Sequence, residues 1–167
     1  HALLRLISHA TTDFVWLMDD DIIPPPQGIH GFRGCEADLL ILPLRMQTAP
    51  SHSPNLLERL QMVEYDAIQG LTIWAARHAH PVLCSSANLI VRRDKWIESF
   101  PDLHPELASG DDMFLLESFK HRGLRVAVSE EEDLTAIVRP VSTWRAFFRQ
   151  RMRWAGKAPK YTDKDII

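Results

Sequence analysis

The chain has 167 residues, 46% of them hydrophobic and 25% charged, with a formal net charge of -3. This balance is typical of one globular domain with an adequate core, and it argues against a nucleic-acid partner. Cys35 and Cys84 lack metal-type spacing, so we expect reduced thiols in a cytoplasmic setting. No uncharged run could cross a bilayer, and the chain starts at His1, so we interpret it as a piece of a longer protein.

The N-terminal part predicts a helix followed by two strands. Residues 2–10 have helical periodicity, with one apolar face formed by Leu3, Leu6, Ile7 and Ala10. The apolar run at 14–18, bounded by turn signals, is typical of a strand buried on both faces of a parallel sheet. A second apolar run at 38–44 predicts another strand, with Pro43 near its end. Together they favour α/β architecture.

Three aspartates follow the first strand, and Pro24 to Pro26 then prevent further sheet pairing. Strand alternation sends Asp19 and Asp21 to one side and Asp20 to the other. Ligands bind at the carboxyl ends of the strands in open α/β sheets, so the pair could hold a hard divalent cation. An isolated triplet is explained equally well as a solvated acidic turn.

A polar linker at 47–55 leads into the longest periodic segment, 56–77, which predicts an amphipathic helix. We expect its apolar stripe to face the core: Leu56, Leu60, Val63, Ala67, Leu71 and Trp74. Residues 82–91 predict a hairpin or strand pair. The small residues at 85–87 fit either a ligand approaching the backbone or a tight core turn. Residues 92–100 predict a short helix that ends at Pro101.

A second acidic pair, Asp111 and Asp112, opens a helix predicted over about 110–122, with Ser109 as N-cap and Gly123 after its end. The helix N-terminus favours the ionised form of Asp112, which could act as a general base. The same pattern is also a capping box in which Asp112 bonds back to Ser109, and the local residues favour that reading.

The C-terminal part predicts a strand at 124–128, a solvated acidic loop at 130–133, and a cationic helix over 142–157. On this helix Gln150, Arg153 and Trp154 share one face. The Arg153 guanidinium suits phosphate, and the Trp154 ring offers a surface on which a sugar could stack. The helix could lie on anionic lipid, or it could be a surface helix of a domain that lacks its other partners.

Three motifs follow one another along the chain: an acidic triplet after a strand, Gly110-Asp111-Asp112 at a helix start, and QRMRW. In this order they resemble the family 2 glycosyltransferases of GT-A fold. The likeness is greatest to the membrane-associated D,D,D,QxxRW branch that includes cellulose, chitin and hyaluronan synthases and ceramide glucosyltransferase. The stretch LCSSANLIVRRDKW (83–96) also resembles a family segment near the acceptor site. The family's N-terminal nucleotide-binding part has no counterpart here. The expected fold is therefore the C-terminal portion of a GT-A-type mixed, mostly parallel sheet flanked by helices.

The resemblance implies one partial catalytic domain over 1–167. Its regions are the DxD strand (1–47), the acceptor and base region (56–141) and the QxxRW helix (142–160). It implies inverting transfer of a sugar from a nucleotide-diphosphate donor to a polysaccharide, glycan or lipid hydroxyl. The implied site residues are Asp19 and Asp21 as ligands of Mg²⁺ or Mn²⁺, Asp112 as general base, and Asp111, Gln150, Arg153 and Trp154 in donor-diphosphate or acceptor binding.

The same resemblance implies a location at the cytoplasmic face of a membrane, contacted through the 142–160 helix. Two other functions remain open at this point. The chain could be a catalytically incompetent fragment that serves as a binding or assembly module of such an enzyme. It could also be a metal-dependent phosphoryl enzyme that uses the acidic triplet and has no use for the QxxRW helix.

Overall fold

The computed structural model describes residues 2–28, 32, 35–104, 111–156, 161–163 and 165. Its helices are α1 Ala2–His9, α2 Leu56–Arg77, α3 Arg93–Ser99, α4 Asp111–His121 and α5 Trp144–Ala155. Its strands are β1 Phe14–Leu17, β2 Leu39–Ile41, β3 Leu44–Met46, β4 Leu89–Arg92, β5 Val126–Val128 and β6 Ala136–Val138. Two 3-10 turns, Phe100–Leu103 and Glu132–Leu134, follow α3 and β5. None of the described helices is both long and apolar enough to cross a membrane.

The main sheet has the strand order β1-β4-β2-β5. Strand β4 is antiparallel to both β1 and β2, whereas β2 and β5 are parallel, so three of the four strands run in the same direction. A second sheet pairs β3 with β6 in parallel, and Ile23 bridges to Ile137 beside it. The fold is therefore α/β with mixed sheets flanked by helices, as expected.

The main core lies between the sheet and the helices α1, α3 and α4. Residues Ile7, Trp96 and Phe119 from these helices pack against Leu39 and Leu89 of the sheet. The opposite face of the sheet carries a smaller cluster around Leu40, Leu42, Ile90 and Leu134. Along β2 and β4, side chains of the main core alternate with side chains of the smaller cluster, because successive residues of a strand point to opposite faces.

Strand β1 differs from the expectation of a fully buried parallel strand. It is the edge of the main sheet, it pairs only with the antiparallel β4, and all four of its residues are half-buried. The apolar run 38–44 also forms two strands rather than one. Residues Leu42 and Pro43 separate β2 from β3. The Leu42 amide still donates to the Asn88 carbonyl next to β4, whereas the Pro43 carbonyl accepts from the Ala136 amide of β6, and the proline has no amide to continue the first ladder.

Helix α2 has the predicted ends but not the predicted core face. Asn55 caps it, accepting from the Glu58 amide, while the Glu58 carboxylate accepts from the Asn55 amide. The expected core stripe is exposed, and the buried positions are Leu57, Glu58, Gln61, Thr72 and Ala75. Leu6 of α1, also expected in the core, is 71% exposed.

The other elements differ from the sequence-based prediction mainly in their extent. Residues 82–91 do not form a hairpin, because 82–88 are irregular and only β4 is a strand. Helix α3 ends before Pro101, which lies in the following 3-10 turn. Strand β6 was not predicted. Ser109 and Gly110 lie outside the described residues.

Candidate functional site

The acidic triplet lies at the carboxyl end of β1, in a turn where the Ile22 amide donates to the Asp19 carbonyl at 3.3 Å. The Ser86 hydroxyl donates to the Asp19 carboxylate at 3.5 Å. Partial burial raises the pKa of the Asp19 carboxyl, and the charges of Asp21, Asp111 and Asp20 raise it further, against the opposite effect of Ser86. The Asp19 carboxylate therefore lies among unneutralised negative charges.

The second acidic pair occupies the first turn of α4, where both carboxylates are half-buried. The Asp112 carboxylate accepts a hydrogen bond from the Met113 amide at 2.8 Å. Because Ser109 lies outside the described residues, the predicted capping bond from Asp112 stays a prediction. Asp111 is near enough to Asp19 for its charge to raise the pKa of the Asp19 carboxyl.

The loop before β4 connects these two acidic pairs. Ser86 contacts Asp19 on one side, while the Cys84 amide donates to the Met113 sulfur at 3.4 Å on the other. Burial raises the pKa of the Cys84 thiol well above its usual range, and the Asp112 charge adds to the shift. The small residues at this loop thus lie between the DxD turn and the start of α4.

Asn88 holds this loop in place. Its side chain is fully buried, donates to the carbonyls of Pro43 and Leu134 at 2.9 Å each, and accepts from the Trp16 indole at 2.8 Å. These bonds join β1, the junction between β2 and β3, and the turn before β6. One side chain therefore links both sheets, and its partner Trp16 lies in the strand that leads into the DxD turn.

The QxxRW residues of α5 differ in exposure. The Oε1 atom of Gln150 is buried and has no hydrogen-bond partner among the described residues. Arg153 is exposed, and Trp154 is 38% exposed. No contact among the described residues joins Arg153 to an aspartate of the site, so its assigned role stays a prediction.

Arg151, which the sequence showed only as one of the basic residues of this helix, contacts Trp154 of the QxxRW segment. It forms an ion pair with Glu64 of α2, and its guanidinium lies 4.5 Å from the Trp154 ring centroid and 4.8 Å from that of Phe147. Next to Glu64, the half-buried Tyr65 packs near Met18 and Ile22, which flank the triplet. The ion pair between Arg151 and Glu64 could not be predicted from helical spacing, because the two residues are far apart in sequence.

Tyr65 links the DxD turn to α5. Burial raises the pKa of its phenol to about 12, the negative charge of Asp19 contributes, and the positive charge of Arg151 acts in the opposite direction. The ring therefore lies within electrostatic reach of both groups.

A short segment after α5 packs against α4. The Thr162 amide donates to the Glu117 carboxylate at 2.7 Å, and the Lys120 ammonium binds Asp163 and, at 2.8 Å, Asp165. The Tyr161 ring lies 5.2 Å from that of Phe114. Burial raises the pKa of Tyr161, with a contribution from Asp112, so this tyrosine lies near the candidate base.

The oxygen-rich turn suits Mg²⁺ or Mn²⁺ because carboxylates are the ligands that hard cations prefer. Burial is the largest cause of the raised pKa of Asp19, and the neighbouring negative charges that add to it are ones a cation would neutralise. Within the described residues, no group of three or more His, Cys, Asp or Glu side chains forms a complete metal-binding set. Mg²⁺ usually has only one or two protein carboxylates as ligands, with phosphate and water oxygens completing the shell. Asp19 and Asp21 fit that pattern.

Comparison with known proteins identifies the family of this chain. No curated protein matches the chain significantly. The family model described as "Glycosyltransferase like family 2" matches residues 1–157, which include the DxD turn, the start of α4 and all of α5. The chain therefore belongs to the glycosyltransferase-like family 2.

Proposed function

We propose that this chain catalyses inverting transfer of a sugar from a nucleotide-diphosphate donor to a hydroxyl of a polysaccharide, glycan or lipid. The supporting observation is that two acidic groups from distant parts of the sequence meet at one end of the main sheet. Asp111 acts electrostatically on Asp19, and the loop at Cys84 to Ser86 contacts Asp19 on one side and Met113, the residue after Asp112, on the other. Family membership implies a sugar donor and an acceptor, and this acidic site is where they would meet.

In the proposed mechanism, Asp19 and Asp21 would hold Mg²⁺ or Mn²⁺, which would balance the charge of the donor diphosphate. Asp112 accepts the proton of the acceptor hydroxyl as its oxygen attacks the anomeric carbon, and the bond from that carbon to the diphosphate oxygen breaks to release the nucleoside diphosphate. Asp111 adds negative charge beside Asp19 and so contributes to cation binding.

Residues of α5 complete the proposed site. Arg153 contributes positive charge toward the leaving diphosphate, and Trp154 and Gln150 shape the acceptor end. The exposed arginines of α5 also favour contact with a membrane surface, which we place at the cytoplasmic face.

Replacing the base tests the chemical step. We expect Asp112→Asn to lower the rate of transfer by about 10²–10⁴-fold, the usual contribution of a general base. Release of nucleoside diphosphate from a panel of nucleotide sugars would measure turnover, and titration with UDP or GDP in the presence of Mn²⁺ would measure binding. Because Asp112 is not a proposed metal ligand, diphosphate binding should persist. Unchanged turnover would remove Asp112 from the mechanism.

Replacing a proposed metal ligand tests donor binding. We expect Asp21→Ala to weaken Mn²⁺-dependent binding of the same diphosphates, with no further loss once the metal is chelated. The matched control is Asp20→Ala, because Asp20 belongs to the same turn but was predicted to point to the other side. Equal losses for the two variants, or an equal loss with and without chelator, would count against ligation by Asp21.

A further inference from the structure

The C-terminal segment, which comprises residues 161–163 and 165, is anchored along helix α4. The buried Glu117 carboxylate accepts from the Thr162 amide at 2.7 Å and also from the Thr162 hydroxyl. One turn farther along the helix, the Lys120 ammonium pairs with the carboxylates of Asp163 and, at 2.8 Å, Asp165. Two side chains of α4 therefore hold three residues of the segment.

The ion pair between Lys120 and Asp163 is largely shielded from water. The exposed fractions of the two side chains are 16% and 9%. An exposed ion pair contributes little to stability, whereas loss of one partner from a buried pair leaves an uncompensated charge. The Lys120 ammonium also donates to the Pro81 carbonyl at 3.1 Å, and His80 Nδ1 lies 3.2 Å from the Asp165 carboxylate. The segment is therefore fixed in one position against α4 and the turn after α2.

The order of these contacts places Tyr161 nearest the start of α4. Successive residues of the segment meet the helix at successive turns, so its first residue lies closest to the helix N-terminus. The Tyr161 ring is 5.2 Å from that of Phe114, with the two planes tilted by 59°. Phe114 follows Asp112 by two residues, which is about 3 Å along the helix axis. The Tyr161 side chain is thus held next to the turn that carries the candidate base.

The charges around Tyr161 are consistent with this position. Burial is the largest cause of the raised pKa of the half-buried Tyr161, and the negative charges of Asp112 and Glu117 add to it. The Asp112 charge also raises the pKa of the buried Cys84 thiol, in the loop before β4. Asp112 therefore has two neighbours from distant parts of the chain, this loop and the Tyr161 side chain.

The proposed base, Asp112, needs a second group that orients the acceptor. A general base acts only when the reacting hydroxyl lies within hydrogen-bond reach in a suitable orientation. One carboxylate does not fix that orientation, because the acceptor can rotate about a single hydrogen bond. A tyrosine next to the base supplies a second contact, since its hydroxyl both donates and accepts and its ring has little rotational freedom. Tyr161 is restrained further by Phe114 and by the anchored Thr162.

We propose that Tyr161 is an acceptor-binding residue, whose hydroxyl hydrogen-bonds to the acceptor and turns the reacting hydroxyl toward the Asp112 carboxylate. Glu117 and Lys120 act as positioning residues, because they hold the C-terminal segment in place. The role of Tyr161 rests on the proposed function, since it needs Asp112 as the base. Water takes the place of the acceptor in hydrolysis of the donor, so this role can be tested with water alone.

Ultraviolet titration tests whether Tyr161 and Asp112 are neighbours. The chain has two tyrosines, so Tyr65→Phe leaves Tyr161 as the only phenol. In this background we expect Asp112→Asn to lower the pKa of Tyr161, because a nearby negative charge disfavours the phenolate.

Release of the segment provides a second comparison in the same background. Lys120→Met should lower the pKa of Tyr161 toward the ordinary value of about 10, because the segment loses its anchor. Lys95→Met is the matched control, because Lys95 pairs with Glu98 within α3 and its removal should leave this pKa unchanged. Urea unfolding of each variant verifies that it is folded.

Turnover tests the role of the hydroxyl. Tyr161→Phe keeps the ring and its contact with Phe114. With water as acceptor, we expect kcat for release of nucleoside diphosphate to fall about fivefold, the change that one hydrogen bond of ordinary strength gives. KM for the nucleotide sugar and Mn²⁺-dependent UDP or GDP binding should stay unchanged, because the proposed metal ligands are intact. Adding Tyr161→Phe to Asp112→Asn should have no further effect, because both side chains act on one acceptor.

Two results would refute the role of Tyr161. Asp112→Asn could leave the pKa of the phenol unchanged, or Tyr161→Phe could turn over at the wild-type rate while Asp112→Asn does not. Failure of the proposed function has a different signature. The wild-type protein would then release no nucleoside diphosphate from any nucleotide sugar of the panel, which would remove the role of Tyr161 as well, even with the two side chains shown to be neighbours by titration.

Discussion

The buried Asn88 side chain provides a demanding test of how the site is held together. Asn88→Ala removes three hydrogen bonds that join both sheets. Each bond contributes about 1 kcal/mol net, and the partners left without a hydrogen bond in the interior add roughly 1 kcal/mol or more. We therefore expect a loss of about 3–5 kcal/mol in the free energy of unfolding, a large part of the 5–15 kcal/mol typical of a domain.

Urea unfolding followed by far-ultraviolet circular dichroism would measure this loss. For a chain of this size, each kcal/mol lowers Tm by about 2–4 °C, so the thermal midpoint should fall by at least about 6 °C. Trp16→Phe is the matched control, because it removes one of the three bonds and should cost markedly less. A loss for Asn88→Ala no larger than that for Trp16→Phe would refute the view that Asn88 links the two sheets.

Two further predictions concern titratable groups. Because burial raises the pKa of the Cys84 thiol, we expect iodoacetamide at pH 8 to modify the half-buried Cys35 first, as measured by mass spectrometry; equal rates in the folded protein would contradict this. The Ser118 hydroxyl and the Arg122 guanidinium lower the pKa of Asp102. A carboxyl with a lowered folded-state pKa stabilises the protein above its unfolded pKa of about 4 and loses that contribution as the pH falls through the folded value. Asp102→Asn should therefore be less stable than wild type at pH 7 and equally stable near pH 2 in urea unfolding; the same difference at both pH values would contradict this assignment.

The ends of α2 could be predicted from sequence, but its orientation could not. Asn55 and Glu58 form a capping box that defines the start, and the periodicity extends to Arg77. Periodicity shows that a helix has two unlike faces without showing which one meets the core. Here the buried face contains Gln61 and Thr72, which satisfy their polar groups with Val141 and Ile68, so a more polar face could be buried.

Part of the site was predicted correctly in position, because its acidic residues adjoin a strand and a helix that can be recognised from the local sequence. Asp19 follows an apolar strand and Asp111 begins a helix, and the structure brings these two residues together. Tyr65 and Arg151 were missed because their importance depends on contacts between α2 and α5. Those contacts join residues that are far apart in sequence, and no local pattern reports them.

The edge position of β1 has a consequence for the solution behaviour of the protein. The outer side of an edge strand presents backbone groups that can pair with a strand of another molecule and so begin aggregation. Asp13 precedes β1 and the acidic triplet follows it, so two such strands would bring like charges together at their ends. The aspartates of the candidate metal site therefore also keep molecules apart, and their neutralisation by acid or by substitution with asparagine would favour edge-to-edge assembly.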